Sequence, residues 1–479
     1  MTPPQRDEER PIAALLAPDI LALLDESPAS VATEVEEMHP ADLATVAEAM
    51  PRERVPEFLL ALPAERAAEL LSYLDEELRA ELLEEMSPRQ AADIVVEMTP
   101  DDRVDALEEL DDDQAQEIID ELPEEERAET EQLRAYEPDT AGGLMTTEFV
   151  SVPQDISAEA ALAAVRAAAR GERHEAMYAI YITDAAGRLT GVLSLRELLA
   201  APEGARLGDV AWSEVQTVQP TADRETVTRI VQDYDLVAVP VVNTLGRILG
   251  VVTVDDAFDA AQEEATEDAQ KFGGMEALDE PYSQIGFWNM FKKRAGWLSL
   301  LFVGEMFTAT ALGAYQKEID RATVLAIFLP LIVSSGGNSG SQGTSLLIRA
   351  LALREVRLAD WWRVAAREIA TGLALGSLLA VIGFARIEAW QWMAFKGWSL
   401  GILPLGHDYG PNYHMVALTV ALSLVGVVTF GTLVGSMLPF AMRRLGFDPA
   451  SASAPFVATL VDVTGLIIYF QVALHLLLR

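Results

Sequence analysis

The chain has 479 residues, with 75 acidic against 35 basic side chains, a net charge of −40 and no cysteine. Disulfides, thiolate metal sites and cysteine nucleophiles are therefore excluded, and so strong a negative charge argues against nucleic acid as a partner and favours divalent cations. The charge is uneven: residues 281–479 hold 10 acids and 15 bases, leaving 65 acids and 20 bases in residues 1–280. An acidic part at −45 and an apolar part at +5 meet near Pro281.

The first ten residues, Met1-Thr-Pro-Pro-Gln-Arg-Asp-Glu-Glu-Arg10, show no apolar core of a signal peptide. Residues 1–30 read as an N-terminal tail. From there Met38, Met50, Leu62, Leu74, Met86, Met98, Leu110 and Leu122 recur every 12 residues. Most are followed within two positions by Pro or an acid, a helix-start signal. One such short helix cannot bury its apolar face alone, so residues 31–136 are expected to stack as an α-helical solenoid.

Residues 137–262 carry a duplication. Gly187-Arg-Leu-Thr-Gly-Val-Leu-Ser194 and Gly246-Arg-Ile-Leu-Gly-Val-Val-Thr253 are one phrase, 59 residues apart. Each follows an apolar extended run, at 178–183 and 236–242, and Gly-Arg suits the hairpin turn between two strands. Helices are expected at 158–169 and 224–234. Two copies of strand–helix–strand–strand–helix resemble a tandem CBS-domain pair. In many such pairs a Ser/Thr with an Asp three residues on holds a ribose. Thr253 and Asp256 match that pattern, which makes ATP a candidate ligand beside a purely structural turn; Ser194 is followed there by Glu197.

After Lys292-Lys293-Arg294 come five apolar segments of bilayer length, near 295–315, 323–348, 364–386, 415–440 and 455–477. With the acidic part inside the cell, the inner flanks hold ten Lys and Arg. The outer flanks hold five: Lys317, Arg321, Arg386, Lys396 and Arg479. The positive-inside rule is obeyed, and Trp361, Trp362, Trp390, Trp392 and Trp398 sit near segment ends as interfacial aromatics do. The protein is expected in the cell inner (plasma) membrane, multi-pass, with a cytoplasmic N-terminus. The second segment contains Ser334-Ser-Gly-Gly-Asn-Ser-Gly-Ser-Gln342, either closely packed or broken where it lines a cavity. Asn338 and Gln342, one turn apart, suit a polar lining beside Gly336 and Gly337. The fifth segment carries Asp462. A carboxylate at that depth costs about 2.5–3.5 kcal/mol and faces protein, water or a cation. Asp448 lies 14 residues earlier, about 21 Å if the stretch is helical, so both acids fit one pore.

Phe328-Leu-Pro-Leu-Ile-Val-Ser-Ser-Gly-Gly-Asn-Ser-Gly-Ser-Gln342, Phe447-Asp-Pro-Ala450 and Ala458-Thr-Leu-Val-Asp-Val-Thr-Gly465 resemble the MgtE family of magnesium channels and transporters. So do Ala141-Gly-Gly-Leu-Met-Thr146 and Glu263-Glu-Ala-Thr-Glu-Asp268. The resemblance runs from about residue 30 to the end. It implies a multidomain membrane protein: a helical-repeat N domain (31–136), an α/β tandem CBS pair (137–262), a connecting or plug helix (263–290) and a five-helix all-α pore domain (291–479). It further implies a homodimer with the pore between two copies, in membrane lipid, no enzyme activity, and Mg2+ as the ion.

By the same resemblance Asp462 binds hydrated Mg2+ in the pore with the Ala458 carbonyl, and Asp448 lies near the inner end. Regulatory Mg2+ sites fall on Glu69, Asp101 and Asp105 in the N domain. In the CBS pair they fall on Asp223, Glu225, Asp235, Asp256 and Asp259, and in the plug on Glu264, Glu267 and Asp268. The function so implied is a Mg2+-selective, Mg2+-gated uptake channel. Three places depart from the pattern: Ala454-Pro455 stands where Asn-Pro is usual, Glu305 lies inside the first segment, and the stretch Glu388–Tyr413 is long. They keep two other readings open: a broader channel for Co2+, Mn2+ or Ni2+, and a CBS-regulated cation-coupled secondary transporter with Glu305, Glu368 and Asp462 as relay carboxylates. A membrane-anchored sensor without conduction is a more distant reading.

Overall fold

The structure, a computed structural model, describes residues 12–170, 176–278, 282, 285–397, 399–400, 403–404 and 406–477. Trp398, Arg479 and residues 1–11 lie outside the described residues. Two compact units divide between Gln262 and Glu263.

In the first unit the twelve-residue rhythm becomes eight short helices, from Pro40–Glu48 to Glu124–Leu133. The starts are chemically marked. Pro40, Pro88 and Pro100 open helices, where a missing N–H costs nothing, and Ser87 and Gln90 form a capping box. The repeat residues Met50, Leu62, Leu74, Met98, Leu110 and Leu122 are buried. The stack is not a simple pile, because most helices pack on the next but one, while Val55–Leu60 packs on its neighbours. Pro40–Glu48 meets Ala64–Ser72, then Pro88–Val95, then Asp112–Glu121; Glu76–Glu85 meets Pro100–Glu108, then Glu124–Leu133. The structural repeat is therefore two units long. Arg79, on the second column, pairs with Glu109. The expected tail is also corrected: a 3-10 turn at Ile12–Leu16 and helices at Ala17–Glu26 and Pro28–Glu34 bury Ile20, Leu24 and Val31 in the same core, so the compact region already includes residues 12–30.

The CBS pair follows the expected order. β1 (Phe149–Pro153) runs parallel to β2 (Ala176–Thr183), which is antiparallel to β3 (Leu189–Ser194). In the second copy β4 (Ala238–Val242) pairs antiparallel with β5 (Ile248–Thr253), and the β1 counterpart shrinks to one bridge, Val218 with Val241. Both hairpins close through a left-handed glycine, Gly187 and Gly246 at φ +76°. Asp184 and Asn243 cap the two turns alike, each accepting two backbone N–H groups at 2.8–3.0 Å. The Leu189 N–H donates to the Gly246 carbonyl at 2.9 Å, joining the copies turn to turn. The helices span Ala158–Ala168 and Arg224–Tyr234, and β5 leads into the connecting helix, Val254–Phe272.

The second unit holds five helices long and apolar enough to cross a membrane: Phe287–Ala314, Val324–Ala352, Leu358–Lys396, Tyr413–Leu445 and Ala454–Leu476. The fourth is the hub, packed against the second, third and fifth. The first touches the fifth and buries no residue, so Leu298, Leu300, Phe302, Val303, Met306 and Phe307 stay exposed in the single chain. Two expectations are corrected. The third helix continues through Glu388 to Lys396 and stops at Gly397 in the left-handed conformation, so the first nine residues of the supposed long loop are helix. Beyond it the Gln391 side chain holds the Asp408 carboxylate at 2.9 Å and the Tyr409 N–H at 2.7 Å. The stretch after Asp448 is a 3-10 turn, Pro449–Ser451, and the fifth helix begins only at Ala454. The helical spacing of Asp448 and Asp462 therefore does not hold.

Candidate functional site: a membrane carboxylate and an acidic cluster in the first unit

The fifth helix sets its stripe by period. Val457, Val461, Gly465, Tyr469 and Ala473 recur every four residues and are buried. Ala458 and Asp462 sit one residue further round, on a shared half-buried face. Opposite stands the second helix, where the glycines divide by face. A methyl on Gly336 would lie 2.5 Å from Val427 Cγ1, and one on Gly340 would lie 2.8 Å from Val457 Cγ1. These two make close helix packing possible. Gly337 instead faces the acid: a methyl there would stand 3.4 Å from Ala458 Cβ and 3.9 Å from Asp462 Oδ1. Of the two readings of the glycine-rich segment, close packing holds on the Gly336 and Gly340 side, while the helix runs unbroken past Gly337. Asn338 and Gln342 lie side by side on its exposed face. Ala454 presents its carbonyl to the Ser341 hydroxyl at 3.4 Å.

Glu305 joins this place. Gly304 lets the first helix approach the fifth, since a methyl there would meet Thr459 Cγ2 at 2.6 Å. One residue on, the Glu305 carboxyl lies within hydrogen-bond contact of Asp462. Glu368 is not part of the group; it sits on the third helix, where its carbonyl accepts from Thr432 of the fourth. Asp448 is engaged elsewhere: Oδ1 caps the Ala450 N–H and Oδ2 accepts from the Lys271 ammonium, both at 2.8 Å.

In the first unit the acids concentrate at the start of Pro100–Glu108. Asp101 is buried and one of its oxygens has no hydrogen-bond partner. Burial, then the Asp102 charge, pushes its carboxyl up to about 7. Asp105 is raised too, by burial first and then by Asp101 and Asp102, against the pull of Arg79; its residue keeps an exposed face. Asp259 on the connecting helix is raised by partial burial and by the charges of Asp255 and Asp102. Asp101 and Asp105 thus feel each other's charge, and Asp259 is linked to them through Asp102; Asp102 and Asp255 are acids that sequence reasoning passed over.

The other predicted acids lie apart. Glu69 pairs with Arg66 in its own helix. Asp223 caps the helix Arg224–Tyr234, accepting from the Glu225 N–H at 2.8 Å. Asp235 ends that helix, about 18 Å away by helical rise. Asp256 caps the connecting helix from within by accepting from the Thr253 hydroxyl. Ser194 and Glu197 form the matching capping box in the first copy. Glu264 and Asp268 lie on the connecting helix, each with an interaction partner, and Glu267 contacts Lys271 at 2.5 Å. Among the described residues no group of three or more His, Asp or Glu is placed to ligate a metal ion directly.

Asp101 and Asp105 give a signed pH prediction. The buried Asp101 holds its proton above the ordinary carboxylate range, and the more exposed Asp105 shifts in the same direction, so the native state binds more protons than the unfolded chain from about pH 4 to about pH 7. Stability falls as pH rises through that window. In EDTA the Tm of the soluble unit is expected to drop roughly 3–6 °C between pH 5.5 and 8.5, and a saturating divalent cation to recover it. A Tm indifferent to pH in EDTA contradicts this burial.

Comparison with known proteins agrees with this architecture. Three family models match: the MgtE intracellular N domain over residues 38–139, the CBS domain over 141–204 and 207–263, and a divalent cation transporter model, MgtE, over 329–472. The chain is 41% identical over 351 residues to a protein of Thermus thermophilus named magnesium transporter MgtE, covering 73% of each. It is 34% identical over 349 residues to the Enterococcus faecalis protein of the same name, covering 73% of this chain and 71% of that one. The crystal structure of the soluble part of a magnesium transporter superposes with a TM-score of 0.50 at 29% identity, covering 53% of this chain and 99% of that one. With its N domain, CBS pair and five apolar membrane helices in family order, the chain belongs to the MgtE family.

Proposed function

We propose that this protein carries Mg2+ into the cell as a channel, and that binding of the same ion to its acidic cytosolic part closes it. One observation carries the reading: Asp462 stands half-buried on a membrane helix, with Ala458 on its face and side-chain-free Gly337 opposite. Mg2+ dehydrates reluctantly. A half-buried carboxylate facing a residue without a side chain suits an ion held through its waters, and the exposed Asn338 and Gln342 extend a polar lining. Two copies facing each other would double the charge and favour a divalent over a monovalent ion. The unburied apolar first helix supports pairing within lipid. The gathered acids Asp101, Asp105 and Asp259 support an intracellular sensor, with the N-terminus cytoplasmic by the flanking charges.

The contact between Glu305 and Asp462 favours a second reading, cation-coupled transport through a carboxylate pair. Glu368 has no place in it. Unitary currents across bilayers holding the purified protein decide between the two: resolved single-channel steps support the channel, and their absence in protein that still accumulates Mg2+ supports the coupled transporter. The Thr253–Asp256 pair supports ATP binding at the second CBS copy; Thr253→Ala is the variant that tests it, by equilibrium binding.

Ala454 addresses selectivity. Its carbonyl accepts from Ser341 at the inner end of the fifth helix. Ala454→Asn adds one oxygen for the water shell of an ion and is expected to sharpen discrimination against Co2+ and Ni2+. Competition curves identical to the unsubstituted protein would show that this oxygen is supplied elsewhere.

A further inference from the structure

The connecting helix ends in a keyed contact with the inner ends of the first and fifth spanning helices. Gly274, at φ +78°, seats the turn: a methyl there would stand 2.9 Å from the Trp297 ring and 3.1 Å from Pro455 Cγ. Trp297 donates to the Ser453 hydroxyl at 3.1 Å, and the Glu276 N–H donates to the Lys293 carbonyl at 3.1 Å. Beside this contact lies a cavity of about 380 Å3, lined among others by Glu267, Lys271, Met275, Lys293 and Ser451. Lys271 spans its edge, 2.5 Å from Glu267 Oε1 and 2.8 Å from Asp448 Oδ2.

We infer that Lys271 is a tethered cation which occupies the Glu267–Asp448 carboxylate pair, latches the end of the connecting helix onto the inner mouth without Mg2+, and must be displaced before a divalent cation binds there. The charges support this. Lys271 brings one positive charge to two carboxylates, whereas a divalent ion would bring two. Burial works against the ammonium, yet the hydrogen bonds to Asp448 and Glu267 outweigh it, so Lys271 keeps its proton more firmly than an ordinary lysine. The side chains of Lys271 and Glu267 are about one quarter exposed, so the contact is only partly screened. A short tether gives an effective concentration on the order of millimolar, high enough to compete with free Mg2+. Lys271 and Asp448 are 177 residues apart, so no local pattern shows the pair.

The inference rests on Asp448 being a cation site at the inner mouth, but its first test needs no Mg2+. The chain lacks cysteine, so Met275→Cys with Ser451→Cys, both on the cavity wall, reports docking of the helix end through the rate of disulfide formation. In EDTA, Lys271→Met in the full-length protein is expected to slow that rate about tenfold, the scale of one lost charge-assisted contact. Lys271→Arg should keep it. Lys271→Glu combined with Asp448→Lys restores one cation between two acids and should recover the rate, which separates the latch from a folding defect. A rate in EDTA that Lys271→Met leaves unchanged overturns the inference, and so does failure of the charge swap to recover it. In the Lys271→Met protein, added Mg2+ should restore the rate at several-fold lower concentration than it binds this site in the unsubstituted protein; an equal concentration overturns the displacement step. Loss of Mg2+ gating in uptake assays would count against the proposed function and leave the EDTA result standing.

Discussion

Asp462→Ala is expected to abolish Mg2+ uptake into proteoliposomes while the protein still folds and assembles. The carboxylate is the residue of the fifth helix that membrane burial penalises most, at least about 2.5–3.5 kcal/mol. It faces Gly337 and contacts Glu305, and removing it leaves no cavity in the main core, because Val461 and Gly465 carry the packing. What disappears is charge on the half-buried face. Asp462→Asn keeps the shape and is expected to lose most of the uptake as well, at least about tenfold, which assigns the effect to charge rather than volume. Glu305→Gln is the companion measurement. If the pair relays a coupling ion, it abolishes transport like Asp462→Asn; if Asp462 alone faces the ion, uptake persists. Near-normal uptake by Asp462→Ala removes the pore assignment altogether.

Deletion of residues 1–140 is expected to leave transport that no longer shuts off at millimolar Mg2+. The argument is electrostatic. Residues 1–280 carry 65 acids against 20 bases, and Asp101 is buried with an oxygen that has no partner. Asp102 sits close enough to Asp259 to raise it, so acids of the N domain and of the connecting helix repel without a cation between them. An ion that binds the gathered arrangement better than the spread one shifts the population toward it. Without the N domain there is nothing to gather, and uptake against Mg2+ concentration should lose its downturn. Protease cleavage across residues 255–285 should fall as Mg2+ rises in the full chain and stay flat in the deletion. A deletion that closes at the same Mg2+ concentration as the full chain makes the solenoid a solvated spacer.

Local pattern by itself determined much of this protein. The twelve-residue rhythm, the doubled Gly-Arg turn and the five apolar segments each report a burial period, and period is written in neighbouring residues. The helices at Arg224–Tyr234 and Ala454–Leu476 begin and end where Asp223, Asp235 and Ser453 cap them. Asp462 stood out because a charge inside an apolar run has few physical excuses. Tertiary structure decided what neighbours cannot encode. The solenoid packs most helices on the next but one because a single face cannot be buried by an adjoining short helix alone. The third helix runs on to Lys396, since nothing before Gly397 breaks it. Asp448 leaves the expected helical line because Pro449 follows it and its carboxylate caps a turn. The acids matched by motif separate into Asp101 and Asp105, which feel each other's charge, with Asp259 reached through Asp102, and those held apart, Glu69 by Arg66 and Asp235 by a helix length. Glu305 beside Asp462 and Lys271 beside Asp448 join residues more than 150 positions apart. Charge acts through space at a few ångströms, and only the folded chain sets which charges come that close.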